Sequence, residues 1–318
     1  NLHIHGEEGA GKTYLLSAVS SKLLSEDPDL LIAKIDCRVQ DTEYKVLRKV
    51  ANYMGGNIPE SGYSLTLARE IFNKALSEAG NNLILVLENI ELLLERDGDK
   101  LFYFLSRLDT EDELPEIGIV TTSSRIKKLQ GKLSSRTGSS YNFKAINLRN
   151  LKTEEAFEIL NCYFANFGLE KHVIGKAIAL SRYESDGGFI NLKTALHTLR
   201  ELVGKYERPF GEETIERAYI SVQRRKYNYL KEMLSKHERL LLKAVRRVSQ
   251  RDKKTWSGST YEAYCELCEE NNLEPHSDRI LGDYLTRLSL LGFVDLERYE
   301  GGSKGKTRWI KPKRMIVQ

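Results

Sequence analysis

Residues 1–13 read NLHIHGEEGAGKT, and the eight residues from Gly6 to Thr13 fit the pattern GxxxxGK[ST]. Glycines in such a loop let successive backbone N–H groups turn inward around an anion, and a helix that follows directly adds the positive end of its dipole. The flanks suit this arrangement, because LHI is typical of a short strand and YLLSAVSSKLL has helical apolar spacing. The stretch therefore predicts a phosphate-binding loop for ATP or ADP, in which Lys12 contacts the β- and γ-phosphates and Thr13 holds Mg²⁺. The residues assigned to nucleotide binding are Gly6, Glu7, Glu8, Gly9, Ala10, Gly11, Lys12, Thr13 and Tyr14.

Apolar runs that alternate with helical segments extend this prediction to a whole domain. The runs are LLIAKID (30–36), LILVLE (83–88) and IGIVTTSS (117–124), separated by segments such as TEYKVLRKVANYM and LAREIFNKALSEA. Near-continuous apolar strands separated by helices are typical of a parallel sheet covered on both faces. We therefore predict a three-layer α/β P-loop domain over residues 1–149, with LILVLE as the strand beside the phosphate loop.

The run LILVLE ends in Glu88 and is followed by Asn89, at the position where nucleotide hydrolases carry an Asp-Glu pair. Glu88 suits a carboxylate on the Mg²⁺ side of the site, and Asn89 stands where a water-activating Glu belongs. An amide can orient water but cannot accept its proton, so this pair predicts slow ATP hydrolysis with nucleotide binding retained. The alternative is a core strand whose polar ends are incidental.

The next part of the chain is predicted to be helical. No strand signal occurs between residues 150 and 235, and TEEAFEILNCYFANF has Thr153 as its expected N-cap with acids in its first turn. These residues predict a helical domain over 150–230.

Three helices and a hairpin are predicted for residues 231–318. Capping boxes are expected at Ser235 with Glu238 and at Ser259 with Glu262. SDRILGDYLTRLSLLG then places four leucines on one helix face, with Gly292 as its C-terminal stop. The strands FVDLER and TRWIKP follow, joined by a loop that contains EGGSKGK. This order is typical of a winged helix-turn-helix, which binds DNA with a helix in the major groove and the hairpin beside it; a winged helix used for protein contacts is the alternative.

Charge and composition restrict the partners. The net charge is +4, but residues 301–318 carry six basic residues and no acid, which indicates a localised anionic partner. The residues expected to contact DNA are Arg279, Thr286, Arg287, Arg298, Lys304, Lys306 and Arg308. No apolar run approaches the roughly 18 residues of a membrane helix, so no membrane partner is expected. The four cysteines indicate no disulfide framework, and the CxxC of Cys265 and Cys268 suits one face of a helix. We expect a cytoplasmic, nucleoid-associated protein.

The whole chain resembles the archaeal replication-initiator family, the AAA+ ATPases related to eukaryotic origin-recognition and cell-division-control proteins. The phosphate loop alone is unspecific. More specific are DCRVQDTEYKVLRKVANYMG, YEAYCELCEENNLEP, DRILGDYLTRLSLLGFVDLER and the hairpin segment GKTRWI.

The resemblance implies roles for further residues. Glu88 matches the family's metal-side Asp and Asn89 its catalytic Glu, while Ser124 lies near a polar sensor that is usually Asn. Arg136, in LSSRTG, matches an arginine finger that acts on a neighbouring subunit's nucleotide, and Lys193, in NLKTAL, falls where the lid carries a sensing Arg. DTEYKVLRKV resembles the initiator-specific insertion that contacts origin DNA. Hydrolysis and sensing positions thus depart from the family pattern, whereas the phosphate-binding residues do not.

Together these features predict a DNA replication initiator that binds ATP or ADP with Mg²⁺, binds double-stranded origin DNA, and helps recruit or load the replicative minichromosome-maintenance helicase. Other initiator subunits are expected partners, in a homo- or hetero-oligomer. Two alternatives remain at this stage. One is a P-loop signalling ATPase that regulates transcription through a winged helix, and the other is a DNA-binding protein with a vestigial nucleotide site.

Overall fold

The computed structural model describes residues 1–108, 114–124, 143–184, 188–252, 254–299 and 307–313. The chain divides into two compact units, residues 1–219 and 220–318, and each is described by itself below. The predicted domain boundaries at 149/150 and 230/231 stay predictions.

The first unit contains a parallel sheet of five strands: β1 (Leu2–His5), β2 (Leu31–Asp36), β3 (Leu83–Glu88), β4 (Ile117–Ser123) and β5 (Lys144–Asn147). Their order is β2-β3-β4-β1-β5. The predicted α/β fold is confirmed, but β3 is one strand further from the phosphate loop than expected, because β4 separates β3 from β1. β5 was not predicted, since KAIN is short and all four of its residues are exposed.

Helices cover both faces of this sheet, as the continuous apolar strands require. The helices in this part are α1 (Lys12–Glu26), α2 (Glu43–Tyr53), α3 (Leu65–Ala79), α4 (Glu91–Asp97) and α5 (Lys100–Leu108). On one face Leu83, Leu85 and Leu87 of β3 share a buried cluster with residues of α2, α3 and α5. On the other face Val86 packs in a smaller cluster with Ile4 of β1 and Leu16 of α1. The sheet therefore holds α1, and the loop before it, against the ends of its central strands.

The predicted all-helical segment follows as α6 (Thr153–Tyr163), α7 (Lys171–Ser181), α8 (Leu192–Lys205) and α9 (Glu212–Glu232). Thr153 is the first residue of α6 and not its N-cap, which is Lys152. The N–H of Lys152 donates to the Glu155 carboxylate at 2.9 Å. The Glu155 carboxylate therefore stabilises the start of α6, where the Thr153 hydroxyl was expected to do so.

The second unit is a winged helix, as predicted. It comprises α10 (Lys236–Arg251), α11 (Ser257–Glu270), α12 (Asp278–Leu290) and an antiparallel hairpin of β6 (Val294–Tyr299) and β7 (Thr307–Pro312). The capping box of Ser235 and Glu238 at the start of α10 is confirmed. The one predicted at Ser259 is wrong, because α11 begins at Ser257 with Trp256 as its N-cap, and the Ser259 hydroxyl donates back to the Trp256 carbonyl at 3.1 Å.

Helix α12 ends as its sequence predicts. Gly292 has φ 80°, a left-handed conformation that suits glycine. Its N–H donates to Ser289 O at 3.1 Å, and the N–H of Phe293 donates to Leu288 O at 2.9 Å. The leucines at 281, 285, 288 and 291 are all buried. Burial of one such side chain contributes about 1.5–3 kcal/mol, so this face fixes α12 on the unit's core.

The structure also bears on the cysteines, on metal clusters and on membrane spans. All four cysteines are free, and Cys265 and Cys268 both lie on α11, as their spacing suggested. Within the described ranges, no group of three or more His, Cys, Asp or Glu side chains could hold a metal ion. None of the helices in those ranges is long and apolar enough to cross a membrane.

Candidate nucleotide site and nucleic-acid interface

The loop of residues 6–11 is shaped by glycines at its points of close contact. Gly9 and Gly11 have φ 90° and 94°, which favour glycine. A Cβ on Gly9 would lie 2.4 Å from the Cα of Asn191, and one on Gly6 would lie 2.5 Å from the carbonyl oxygen of Leu148. The loop is therefore confined between the residue after β5 and the start of α8, where larger residues would displace the backbone.

Helix α1 starts at Lys12 directly after this loop, and no side chain caps its first turn. The Lys12 ammonium lies inside the loop, where it donates to the carbonyls of Gly6 at 2.5 Å and Glu7 at 2.8 Å. Burial lowers the pKa of Lys12, and nearby carboxylates, first that of Glu91, oppose this shift. A half-buried cation beside uncapped N–H groups is the arrangement that binds polyphosphate.

Thr13 and Glu88 meet although 75 residues separate them. The Thr13 hydroxyl donates to the Glu88 carboxylate at 2.7 Å. Both side chains supply oxygen, which is the ligand type that Mg²⁺ prefers, and Mg²⁺ sites on phosphates use one or two carboxylates. These two residues therefore fit the predicted metal position beside the phosphates.

Asn89 lies at a conformationally unusual position, with φ 55°. Its backbone N–H donates to the Thr122 hydroxyl at 3.2 Å, and its side-chain amide donates to Asp36 Oδ1 at 3.1 Å. Asp36 also accepts from Nε and Nη2 of Arg38 at 3.0 and 2.6 Å. Burial acts to raise the pKa of Asp36, but the bonds from Arg38 and Asn89 lower it below its ordinary value. The Asn89 side chain is thus engaged at the end of β2.

Ser124 directly follows β4, and both its N–H and its hydroxyl donate to Glu91 Oε1, at 2.5 and 3.0 Å. Deeper in the sheet the buried His3 ring bonds to the hydroxyls of Thr121 at 2.7 Å and Ser123 at 3.0 Å. Burial, with a smaller contribution from His5, lowers the pKa of His3 to about 4. His3 is therefore a neutral residue of the strand, and its two hydrogen bonds hold the polar end of β4.

Three further residues were predicted at the nucleotide site: Lys193, Tyr14 and Arg136. Lys193 is exposed in the first turn of α8, whose Leu192 N–H donates to Gly9 O at 3.3 Å. The start of α8 thus contacts the loop through its backbone. Tyr14 is 71% exposed on α1. Arg136 lies outside the described residues.

Six of the seven predicted DNA-contacting residues fall into three groups. Arg279 is exposed in the first turn of α12. Arg308 of β7 donates weakly, at 3.4 Å, to Gly282 O and to the Thr286 hydroxyl, so these residues join the hairpin to α12. The side chain of Arg298 and both Lys304 and Lys306 lie outside the described part of the chain.

Arg287 differs from the prediction that it contacts DNA. Its guanidinium lies 3.2 Å from the Glu238 carboxylate, and the two side chains are only 14% and 4% exposed. The geometry favours an ion pair that joins α12 to the start of α10, which leaves Arg279 as the better candidate for base contacts.

Comparison with known proteins yields matches along the chain. A family model described as AAA domain matches residues 1–125, and one described as CDC6, C terminal winged helix domain, matches residues 230–314. The ORC1-type DNA replication protein 1 of Archaeoglobus fulgidus is 28% identical over 98% of this chain and 78% of its own length. The ORC1-type DNA replication protein of Pyrococcus furiosus is 26% identical over 98% and 77%.

The chain belongs to the archaeal origin-recognition and cell-division-control family. The resemblance predicted from the sequence is thereby confirmed. Solved structures agree in fold: the Aeropyrum pernix ORC1 protein in complex with DNA has a TM-score of 0.77 at 23% identity, covering 98% of this chain and 83% of that one. The Aeropyrum pernix ORC2 protein, in ADPNP-ADP complexes, has a TM-score of 0.58 at 16% identity, covering 99% and 84%.

Two residues of the site in this family member were not predicted from the sequence. Asn191 packs on Gly9, and Glu91 bonds to Ser124. Glu91 had a visible signal, because a third polar residue follows Glu88 and Asn89 in LENIE at the start of a helix. Asn191 had only the signal of an N-cap, since its side chain accepts from the Thr194 N–H at 3.1 Å.

Proposed function

We propose that this chain is a nucleotide-gated replication initiator that binds ATP or ADP with Mg²⁺, binds origin DNA through its winged helix, and hydrolyses ATP slowly. Its family membership supports a role in DNA replication initiation. The observation that carries the nucleotide part is the convergence of three side chains at one loop. Lys12 lies inside the loop, and Thr13 bonds to Glu88 from β3 at 2.7 Å. An incidental polar strand end would not require Glu88 to reach the loop.

Different residues of the site would bind the phosphates, hold the Mg²⁺ and detect which nucleotide is bound. The N–H groups of the loop and of the first turn of α1 would bind phosphate oxygens, and the ammonium of Lys12 would leave the carbonyls of Gly6 and Glu7 to neutralise them. Thr13 and Glu88 would hold Mg²⁺, which when bound neutralises charge on the phosphates. The start of α8, in contact with Gly9, would detect which nucleotide the loop holds.

The second unit would supply the DNA contacts. Arg279 is exposed on α12, and basic residues of the hairpin are suited to phosphate contacts. Lys311 and Lys313 contribute less than their number suggests, because they pair with Glu297 and Asp295 of β6 at 2.5 and 3.3 Å. The Aeropyrum pernix ORC1 relative in complex with DNA supports this proposal by analogy.

Further partners follow from the family. We propose that the chain assembles with other initiator subunits, with Arg136 acting on a neighbour's nucleotide, and that it helps recruit or load the replicative minichromosome-maintenance helicase. Lys193 would act on the nucleotide from α8.

The affinity for duplex origin DNA, measured with ATP and then with ADP, tests the gating. We expect the affinity to differ between the two nucleotides in the wild type, and the difference to vanish in Lys12→Ala. An affinity that ignores the nucleotide would instead favour a DNA-binding protein with a vestigial site.

A further inference from the structure

Glu91 is placed to act on the nucleotide, and this inference rests on the proposed nucleotide-binding function. It is the first residue of α4, two positions after Asn89. Its Oε1 accepts two hydrogen bonds from Ser124, at 2.5 Å from the N–H and 3.0 Å from the hydroxyl. These bonds fix the half-buried carboxylate at the carboxyl end of β4, the strand that adjoins β1.

The order of strands separates Glu91 from Asn89. The neighbours of β3 in the sheet are β2 on one side and β4 on the other, and the phosphate loop follows β1, beyond β4. The side chain of Asn89 bonds to Asp36 at the end of β2, whereas Glu91 bonds to Ser124 at the end of β4. Relative to β3, the amide is therefore on the side away from the loop and the carboxylate on the side toward it.

The Glu91 carboxylate keeps one oxygen for a further hydrogen bond. Glu88, by contrast, accepts a hydrogen bond from Thr13, the residue suited to Mg²⁺. Among the described residues, Oε2 of Glu91 has no hydrogen-bond partner and can accept one from water.

We propose that Glu91 is the catalytic residue that orients and deprotonates the attacking water in this chain, in place of the residue at position 89. The water oxygen forms a bond to the γ-phosphorus as the bond from the γ-phosphorus to the β,γ-bridging oxygen breaks, and ADP keeps that electron pair. The proton of the water passes to Glu91 and then to solvent. Ser124 holds the carboxylate in position.

The decisive variant is Glu91→Gln, because the amide oxygen of Gln can still accept both hydrogen bonds from Ser124 while the basic group is lost. Hydrolysis of pre-bound ATP is followed under single-turnover conditions in the full chain, and affinities for ATP and ADP are measured separately. Asn89→Ala is the matched control on the same segment, and circular dichroism verifies the fold of each variant.

We expect Glu91→Gln to slow single-turnover hydrolysis by about 10²-fold, the usual contribution of a general base. We also expect it to bind ATP more tightly relative to ADP, by roughly fivefold, because one negative charge near the γ-phosphate is removed. Asn89→Ala should change the rate by less than about threefold, since its side chain faces β2. Glu91→Asp, which keeps the basic group, should retain more activity than Glu91→Gln.

Three results would overturn the proposal. The first is an unchanged hydrolysis rate with an unchanged ratio of ATP to ADP affinity in Glu91→Gln. The second is an equal loss of hydrolysis rate in Asn89→Ala, and the third is no Mg²⁺-dependent hydrolysis in the wild type. Each of these results is compatible with a chain that still binds ATP through Lys12. The proposed function fails separately, if the wild type does not bind ATP in a manner that depends on Lys12.

Discussion

Replacing Arg287 by Met distinguishes a buried structural ion pair from a base-reading side chain. In the winged helix its Nε lies 3.2 Å from Glu238 Oε1, with side-chain exposures of 14% and 4%. The other oxygen of Glu238 accepts from the Ser235 N–H at 2.7 Å in the capping box of α10. Arg287→Met therefore leaves a buried carboxylate with a hydrogen-bond donor but without its cation.

The size of the effect follows from that arrangement. Removing one partner of a buried ion pair costs about 3–5 kcal/mol, and the remaining bond from Ser235 places the expected loss of unfolding free energy near 3 kcal/mol. The double variant Arg287→Met with Glu238→Gln removes both charges and keeps an acceptor for the cap. The unfolding free energy of this double variant should return to within about 1 kcal/mol of the wild-type value, because replacing a buried ion pair by uncharged groups often leaves stability nearly unchanged.

Urea unfolding of the full chain, with hydrogen exchange of α10 and α12 to localise the change, measures these energies. Lys243→Met, on an exposed position of α10, is the matched control and should stay within about 0.5 kcal/mol. Unchanged stability in Arg287→Met, together with lost discrimination between DNA sequences, would instead identify Arg287 as a base-reading residue.

Lys12, Asn89, the hairpin lysines and His3 can each be tested by substitution. Lys12→Ala should lose most ATP affinity in calorimetry while the fold persists, because the polyphosphate loses its main cationic side chain; tight binding by the folded variant would argue against the phosphate loop. Asn89→Glu adds a carboxylate on the side of β3 that faces Asp36 and β2, so it should change single-turnover hydrolysis by less than about threefold, whereas a gain of about 10-fold or more would contradict the assignment of water activation to Glu91. Converting Lys304 and Lys306 to Ala should lower the slope of log affinity against log salt by roughly 1 to 2, at about 0.9 per phosphate; an unchanged slope would place the hairpin away from DNA. The pKa of His3 is lowered from 6.5 to about 4, so between these pH values the unfolded chain binds a proton that the folded chain does not bind. The free energy of unfolding should therefore fall as the pH drops from 6.5 to about 4. His3→Gln should remove that part of the pH dependence, up to roughly 3 kcal/mol, and an identical pH profile in the variant would contradict it.

The parts of the fold that the sequence predicted are those written in local patterns. The apolar runs of β2, β3 and β4, the phosphate loop before α1 and the leucine face of α12 each need only neighbouring residues to be recognised. β5 has no such pattern, since its four residues are all exposed and are held by pairing with β1. Pairing between segments about 140 residues apart leaves no local trace.

The errors at helix starts have a similar cause. Ser259 and Glu262 have the spacing of a capping box, but the backbone around Trp256 starts α11 earlier and the Ser259 hydroxyl bonds to a carbonyl inside the helix. Hydroxyl side chains bond readily to nearby backbone in either role, so spacing alone does not decide between them.

At the candidate site, residue types were predictable and partners were not. The sequence identified Lys12, Thr13 and Glu88, because a motif and a strand end define them. It did not reveal that Asn89 bonds to Asp36, or that Arg287 is paired with Glu238 on another helix. These contacts depend on strand order and helix packing, which are tertiary properties.

A genome-wide map of chromosomal occupancy in the source organism, for the wild type and for Lys12→Ala, is the decisive test of nucleotide-gated initiation. A nucleotide-gated initiator should occupy a few sites that coincide with the starting points of DNA replication, and Lys12→Ala should redistribute or lose that occupancy. Occupancy at many promoters, or an identical map for the variant, would contradict it.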